Sequence, residues 1–202
     1  MFLVSIRRLS SALLWLIASI SFVLSPTSLQ AQTCQPPGYY VGPGNAYEWI
    51  ANGRPKSSSS TSASCWTLNY AVSVVSTPGC FYNESTAKQF DMHYGARLVQ
   101  EFIVPGDMMD THWDLSYLLT MQDPHNDGWW NRLKATVYDV TARRILAEHF
   151  YWGDDPDITC GDRDLTFTGN LAGHTVQVIF ADGSAYSDTV FRLRSISLIS
   201  TP

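Results

Sequence analysis

Short runs of alternating apolar and polar residues dominate the C-terminal half of the chain. Turn residues close each run, and the runs are Arg97–Val104, Trp113–Met121, Leu133–Val140, Ile145–Tyr151, Asp164–Thr168, Thr175–Phe180 and Asp188–Ile199. A period of two indicates strands with one buried and one solvated face. Repeated at this spacing, it predicts an all-β protein with an antiparallel two-sheet β-sandwich.

The N-terminus predicts export. Arg7 and Arg8 precede an apolar run of 13 residues, Ala12–Leu24, and Ala31 is a small residue at the expected cleavage position. The run is shorter than the roughly 20 residues that span a bilayer. We therefore expect residues 1–31 to be a cleaved signal peptide, and the mature chain to be secreted, periplasmic or on the cell surface, with no membrane span.

Four cysteines follow the predicted signal peptide: Cys34, Cys65, Cys80 and Cys160. An even number in an exported chain predicts two disulfides, and no Cys-x-x-Cys spacing indicates zinc or redox chemistry. Three pairings are open. We favour Cys65–Cys80 with Cys34–Cys160, so that disulfides staple the sandwich, each bridge contributing about 2–4 kcal/mol.

The mature chain divides into two regions by composition. Residues 32–64 are rich in Pro, Gly and Ser and predict an arm with one short strand, Ala46–Ile50. Residues 65–202 predict the sandwich, which opens with strands Trp66–Val75 and Ala87–Phe90. Helix signals are weak, and the best is a single turn at Asp107–His112.

The charge balance limits the classes of partner. The chain holds 13 basic and 18 acidic residues; without Arg7 and Arg8, 11 basic residues face 18 acidic ones, a formal charge of −7. This excess disfavours nucleic acid and anionic lipid as partners.

Several of the strands carry a family resemblance. The segments are Leu98–Gly106, Trp113–Tyr117, Leu133–Asp139, Asp164–Thr168 and Phe191–Leu198. Their order resembles the galactose-binding-like jelly roll, a superfamily that includes many carbohydrate-binding modules of secreted bacterial proteins. The resemblance covers roughly residues 65–198, and it implies a jelly-roll sandwich and a glycan ligand.

The outer faces of two predicted strands hold the first candidate site. Asp114, Ser116 and Thr120 alternate with the apolar residues of one strand, and Arg132, Lys134, Thr136 and Tyr138 with those of the next. We expect these residues on one sheet face, joined by Glu101 and Gln177. Cations, acceptors and a tyrosine suit a hydroxyl-rich ligand. An ordinary solvated face has the same pattern, so that alternative stays open.

Loop tryptophans are the second candidate. Trp129 and Trp130 are consecutive, so in an extended chain they face opposite sides and one of them leaves the core unless the loop covers it. Trp152 lies at another loop mouth. An exposed indole is a stacking surface for a pyranose ring; packing beneath a loop is the alternative.

Metal and catalytic signals are weak. Family members often carry two aspartates on the closing strand, one of which helps to hold a structural calcium ion, but Arg194 and Ser195 stand in those places. The acidic runs at Asp123–Asp127 and Asp154–Asp157 lack the spaced ligands of a calcium loop. The five histidines show no His-Glu-x-x-His spacing, and no Gly-x-Ser-x-Gly occurs.

Together these patterns predict a secreted, non-catalytic glycan-binding domain with no cofactor and no metal. The expected partner is a polysaccharide or another glycan. Two alternatives stay open: a structural or adhesion domain of the cell envelope that binds another protein, and a small polysaccharide-active hydrolase or lyase.

Overall fold

The computed structural model describes residues 46–51, 65–76, 88–122, 131–153, 161–184 and 189–202. Within these ranges the chain forms eleven β-strands and no helix, as the alternating pattern predicts. The strands are β1 Tyr47–Glu48, β2 Thr67–Leu68, β3 Val72–Ser76, β4 Lys88–Met92, β5 Arg97–Ile103, β6 His112–Gln122, β7 Arg132–Asp139, β8 Arg144–Trp152, β9 Gly161–Thr168, β10 Thr175–Asp182 and β11 Val190–Thr201.

The strands form two antiparallel sheets. Sheet A has the order β3-β4-β11-β6-β9, and β1 pairs with the C-terminal half of β11. Sheet B has the order β2-β5-β10-β7-β8. Inward-facing side chains of both sheets form one apolar core. The predicted two-sheet β-sandwich is therefore confirmed.

Alternation predicts the buried face of the long strands residue by residue. On β6 the predicted inner residues Trp113, Leu115, Tyr117 and Leu119 are buried, and Met121 packs against the core from its rim. On β7 the predicted inner residues, Leu133, Ala135 and Val137, are fully buried. Burying a large apolar side chain contributes about 1.5–3 kcal/mol, so turning either strand over would be strongly unfavourable.

The arm contributes a strand to sheet A. The predicted strand Ala46–Ile50 forms as β1. Trp49, which follows it, is buried and donates its indole N–H to Ser200 Oγ at 2.7 Å. The Glu48 carboxylate accepts the backbone N–H of Leu198 at 3.0 Å. Side chains, as well as the short backbone ladder, thus attach β1 to the closing strand.

The prediction of one continuous strand at Trp66–Val75 is wrong. β2 lies in sheet B and β3 in sheet A, with a turn between them. Asn69 stabilises this turn, because its Oδ1 accepts the N–H of Arg97 at 3.0 Å and its Nδ2 donates to the carbonyl of Gly95 at 2.7 Å. Asparagine side chains commonly take over backbone hydrogen bonds in turns, and here this lets the chain cross between sheets.

Asp107–His112, the segment with the best helix signal, does not form a helical turn. Residues 108–111 have no regular structure, and His112 already belongs to β6. The buried Asp110 carboxylate accepts the hydroxyl of Ser200, and Thr111 donates its N–H to the carbonyl of Thr201 at 3.0 Å. These contacts hold the segment along β11, so the bonds that would close a helical turn do not form.

Cys65 is the one cysteine among the described residues, and it takes part in a disulfide. Cys34, Cys80 and Cys160 lie outside those residues, so the number of bridges and their pairing stay predictions. Residues 1–31 and most of the arm also lie outside them. No helix in the described ranges is long and apolar enough to cross a membrane.

Candidate functional site

The outer face of sheet B is built from four long strands in fixed register. Rows of residues run across β5, β10, β7 and β8. The first row is Arg97, Ala181, Lys134 and Phe150; the second is Val99, Ile179, Thr136 and Glu148; the third is Glu101, Gln177, Tyr138 and Ile145. Arg132 and Trp152 are paired beyond the first row. We call these residues together the sheet B face.

Two aromatic rings lie side by side on this face. Phe150 is 36% exposed and Trp152 is 44% exposed. Their ring centroids are 6.3 Å apart, with an angle of 25° between the ring planes. Residues two apart on a strand point to the same side, so β8 carries an exposed aromatic strip along the sheet edge.

Cations lie next to both rings. The Arg132 guanidinium carbon is 5.9 Å from the centroid of the Trp152 ring, and Lys134 Nζ is 5.1 Å from that of Phe150. Both distances fall in the range of cation–π attraction. Lys134 Nζ also lies 2.5 Å from Glu148 Oε2. The strip is therefore bordered by ordered charged groups.

The third row adds polar groups to the face. Gln177 donates its side-chain N–H to Glu101 Oε2 at 2.6 Å, which orients the amide. Tyr138, partly exposed, is the register partner of Gln177. The expectation that Glu101 and Gln177 join the residues of β7 is confirmed.

Four of the predicted ligand-binding residues thus share one surface. Arg132, Lys134 and Tyr138 alternate along β7, and Trp152 ends the neighbouring strand. The fold brings them together, while their role in binding stays a prediction.

Asp114 does not belong to this group. The prediction placed it on the same sheet face as Lys134, but β6 pairs with β9 and β11 in sheet A, whereas β7 lies in sheet B. A period of two shows which side of a strand is buried, not which sheet holds the strand.

Burial raises the pKa of Asp114, the negative charge of Asp164 raises it further, and His112 opposes the shift.

Trp129 and Trp130 lie outside the described residues. The same holds for the acidic runs Asp123–Asp127 and Asp154–Asp157. Sugar stacking by these tryptophans therefore stays a prediction.

The comparisons with known proteins concern the fold. No protein-family model and no curated protein matches this sequence. Among solved structures, the chain is similar to the arabinose-bound α-L-arabinofuranosidase MgGH51, with a TM-score of 0.52 and 13% identity. It is also similar to TmCBM61 in complex with β-1,4-galactotriose, with a TM-score of 0.53 and 11% identity. These matches show that the β-sandwich is a jelly roll.

The two matches differ in the share of the matched protein that they cover. The match covers 79% of this chain but 27% of the arabinofuranosidase. It covers 75% of this chain and 97% of TmCBM61. The jelly roll thus corresponds to a whole module and to about a quarter of the enzyme, and identities this low establish the fold alone.

The closing strand is irregular at the position where the family resemblance implies a calcium ligand. β11 has a bulge between Arg194 and Ser197, and Ser195 within it has a φ of 54°. The Glu48 carboxylate beside the bulge already accepts hydrogen bonds from Ser197 Oγ and from the N–H of Leu198. Calcium needs six to eight oxygen ligands, and here two protein donors already bind the Glu48 carboxylate. No group of three His, Cys, Asp or Glu residues suited to a metal occurs within the described ranges.

One histidine–carboxylate pair of the jelly roll resembles part of a catalytic dyad. His174 Nδ1 lies 2.8 Å from Oδ2 of the buried Asp139. The same side chain accepts the N–H of Ala142 at 2.9 Å and lies 3.5 Å from Arg144 Nε. Burial raises the pKa of Asp139, but these hydrogen bonds outweigh burial and the net pKa is lowered. Through these contacts the pair stabilises the turn between β7 and β8, which is a structural role.

Sequence reasoning missed three of the aromatic and charged residues of the sheet B face: Phe150, Glu148 and Arg97. Phe150 and Glu148 alternate with Trp152, so the period of two already placed them on one side of β8. Arg97 enters the first row only through the pairing of β5 with β10, and a single sequence does not show that register.

Proposed function

We propose that this chain is a secreted, non-catalytic glycan-binding domain, and that the sheet B face is its binding surface. The observation that carries the proposal is the exposed strip of Phe150 and Trp152, bordered by Arg132 and Lys134. Pyranose rings present apolar C–H surfaces that pack on aromatic rings, while their hydroxyls need fixed polar partners. The face supplies both kinds of group side by side.

The fold also supports the proposal of glycan binding. TmCBM61, which matches over nearly its whole length, is described with a galactotriose, and the arabinofuranosidase with arabinose. These names suggest galactan and arabinan for a first binding panel. They do not choose between them, because function depends on the residues of the site and not on the fold.

The contacts of the carboxylates on the face favour binding over hydrolysis. Glu148 is paired with Lys134, and Glu101 accepts the amide of Gln177. A glycosidase needs two carboxyl groups that flank the scissile bond, one to donate a proton and one to activate water or attack. Carboxylates held by neighbouring side chains are better suited to orienting those neighbours.

Export is part of the proposal. A domain that binds polysaccharide works where polysaccharides are, and the predicted signal peptide, residues 1–31, provides the route. Intact mass of the exported protein should show the loss of residues 1–31. Retention of these residues would contradict cleavage without affecting the binding proposal.

Affinity electrophoresis tests the binding surface. The mature protein, run through gels containing galactan, arabinan, xylan or acidic polysaccharides, should be retarded by at least one of them. Trp152→Ala and Phe150→Ala should each weaken that retardation about tenfold or more, since burying a large apolar side chain is worth about 1.5–3 kcal/mol and about 1.4 kcal/mol is tenfold in affinity. Tyr70→Ala is the matched control, because Tyr70 is 96% exposed but lies in the turn between β2 and β3.

Two outcomes would replace the proposal. No retardation across the panel would favour the protein-binding alternative, for which Ile145, 54% exposed on the edge strand β8, offers further apolar surface. Release of reducing ends from a retained polysaccharide would favour the enzyme alternative.

A further inference from the structure

The charges on the sheet B face are unevenly distributed. Arg97 and Lys134 lie in the first row, and Arg132 lies just beyond it. The carboxylates lie farther from this end of the face, Glu148 in the second row and Glu101 in the third. One end of the face is therefore cationic, and it is the end that holds Trp152.

Small residues separate these cations. Ala181 lies between Arg97 and Lys134 in the first row, where two strand spacings put their backbones roughly 10 Å apart. Gly183, the next outward position after Ala181, donates its N–H to the carbonyl of Arg132 at 2.9 Å. At the cationic end, small residues thus leave open space between the longer side chains on either side.

Gly183 also makes room for the Arg132 side chain. A Cβ at Gly183 would lie 2.7 Å from Arg132 Nε and 3.3 Å from its Cγ. The arginine can cross Gly183 only because no side chain is there. Its guanidinium is thereby held 5.9 Å from the centroid of the Trp152 ring.

The partners of the three cations differ. Lys134 is neutralised by Glu148 at 2.5 Å. Within the described ranges, neither Arg97 nor Arg132 forms an ion pair with a carboxylate. A guanidinium binds carboxylate or sulfate through two parallel hydrogen bonds, so both arginines can accept an anionic group from outside.

We infer that the cationic end of the sheet B face binds a sugar unit that carries an anionic group, a uronate carboxylate or a sulfate ester. This rests on the proposed glycan binding and specifies its substrate class. The sugar ring packs on Trp152 while the anionic group pairs with Arg132, and Arg97 meets the neighbouring unit. The net charge of −5 on the whole chain disfavours indiscriminate attraction of polyanions, so recognition depends on the ring and the charge together.

The test compares ligands that differ in charge alone. Polygalacturonate and its methyl ester have the same rings, and dextran sulfate and dextran form the second pair. The mature protein should bind at least one anionic member about tenfold or more tightly than its neutral partner, the usual size of a charged hydrogen bond. The preferred pair identifies the anionic group as carboxylate or sulfate. Polyglutamate, a polyanion without sugar rings, should not bind.

Two variants test the assigned groups. Arg132→Gln removes the guanidinium, and Gly183→Ala displaces it without deleting it, since the side chain it meets is flexible. Both should abolish the preference for the anionic ligand, so that the anionic member of the pair and its neutral partner bind equally tightly. Trp152→Ala should weaken binding to both members of the pair alike. Arg132→Lys, which keeps the charge but loses the paired hydrogen bonds, should fall between wild type and Arg132→Gln.

The outcomes separate this inference from the proposed function. Equal binding of the acid and its ester, or a preference that both Arg132→Gln and Gly183→Ala retain, would overturn the inference and leave glycan binding standing. Binding of polyglutamate as tight as that of polygalacturonate would also overturn it. No binding to any glycan would overturn the proposed function itself.

Discussion

The hydroxyl oxygens of Tyr117 and Tyr151 are 2.6 Å apart in the core, and they belong to different sheets. Tyr117 is on β6 in sheet A, and Tyr151 is on β8 in sheet B, with the rings packed edge to face. Burial raises the pKa of Tyr117 well above its ordinary value, so its hydroxyl stays protonated and neutral at any working pH. A neutral hydrogen bond thus links the two halves of the sandwich.

Removing one of these hydroxyls leaves the other without its partner. The losses in unfolding free energy of the two single variants should therefore add up to more than the loss of the double variant. Tyr117→Phe takes away a partner of the buried Tyr151 hydroxyl and should lower the free energy of unfolding by about 1–3 kcal/mol. In Tyr117→Phe/Tyr151→Phe neither hydroxyl remains, so the loss should be smaller than the sum of the single losses. Urea unfolding of the four proteins measures this coupling. Tyr138→Phe, on the partly exposed outer face, is the control; strict additivity would contradict the proposed link.

Glu48 should make stability depend on pH with a defined sign. Burial raises its pKa above the ordinary value of 4.5, although hydrogen bonds from Ser197, Ile50 and Leu198 lower it in part. The native state therefore holds this proton over a pH window in which the unfolded chain has lost it. Stability from this group is present below pH 4.5 and is lost as the pH rises through the folded pKa.

Glu48→Gln isolates this effect, because an amide keeps the shape and can still accept the two backbone N–H groups and donate to Ser197. The free energy of unfolding of the wild type, minus that of the variant, should decrease as the pH rises from about 4 to about 8. Urea titrations at four pH values measure the difference. A difference that stays constant or grows with pH would show that burial does not control this carboxyl.

All four cysteines should be oxidised in the exported protein. Export favours disulfides, and Cys65 is already bonded in the structure. Thiol titration of the denatured, unreduced mature chain should find no free thiol. Two or more thiols per chain would contradict the two predicted bridges. Peptide mapping would then distinguish Cys65–Cys80 with Cys34–Cys160 from the other two pairings.

Local pattern and long-range pairing account for different parts of the fold. The inner faces of β6 and β7 were predictable because burial of every second residue leaves a direct mark on the sequence. The assignment of β6 to sheet A and β7 to sheet B was not, because it depends on which strands pair across the molecule. β11 pairs with β4, β6 and β1, which come from three separate parts of the chain.

The candidate site divides in the same way. Arg132, Lys134 and Tyr138 were predictable as a group, since they alternate on one strand. Their proximity to Phe150 and Arg97 depends on the register of three pairings. The space that Gly183 leaves for Arg132 depends on the conformation where β10 ends. Single-strand periodicity carries no information about either.

Removing calcium should leave the stability of the domain nearly unchanged. At the closing-strand position where the resemblance implies a calcium ligand, Arg194 brings a guanidinium that stays charged at any usable pH, and the Glu48 carboxylate already accepts hydrogen bonds from Ser197 and Leu198. A calcium ion bound only to the native state at a hundred times its dissociation constant would contribute about 2.7 kcal/mol, which corresponds to a shift of several degrees in Tm. Thermal unfolding with excess chelator and with added calcium should therefore give the same Tm within about a degree. A drop of several degrees on chelation would show that the chain holds a calcium ion elsewhere, with Asp123–Asp127 and Asp154–Asp157 the first segments to test by substitution.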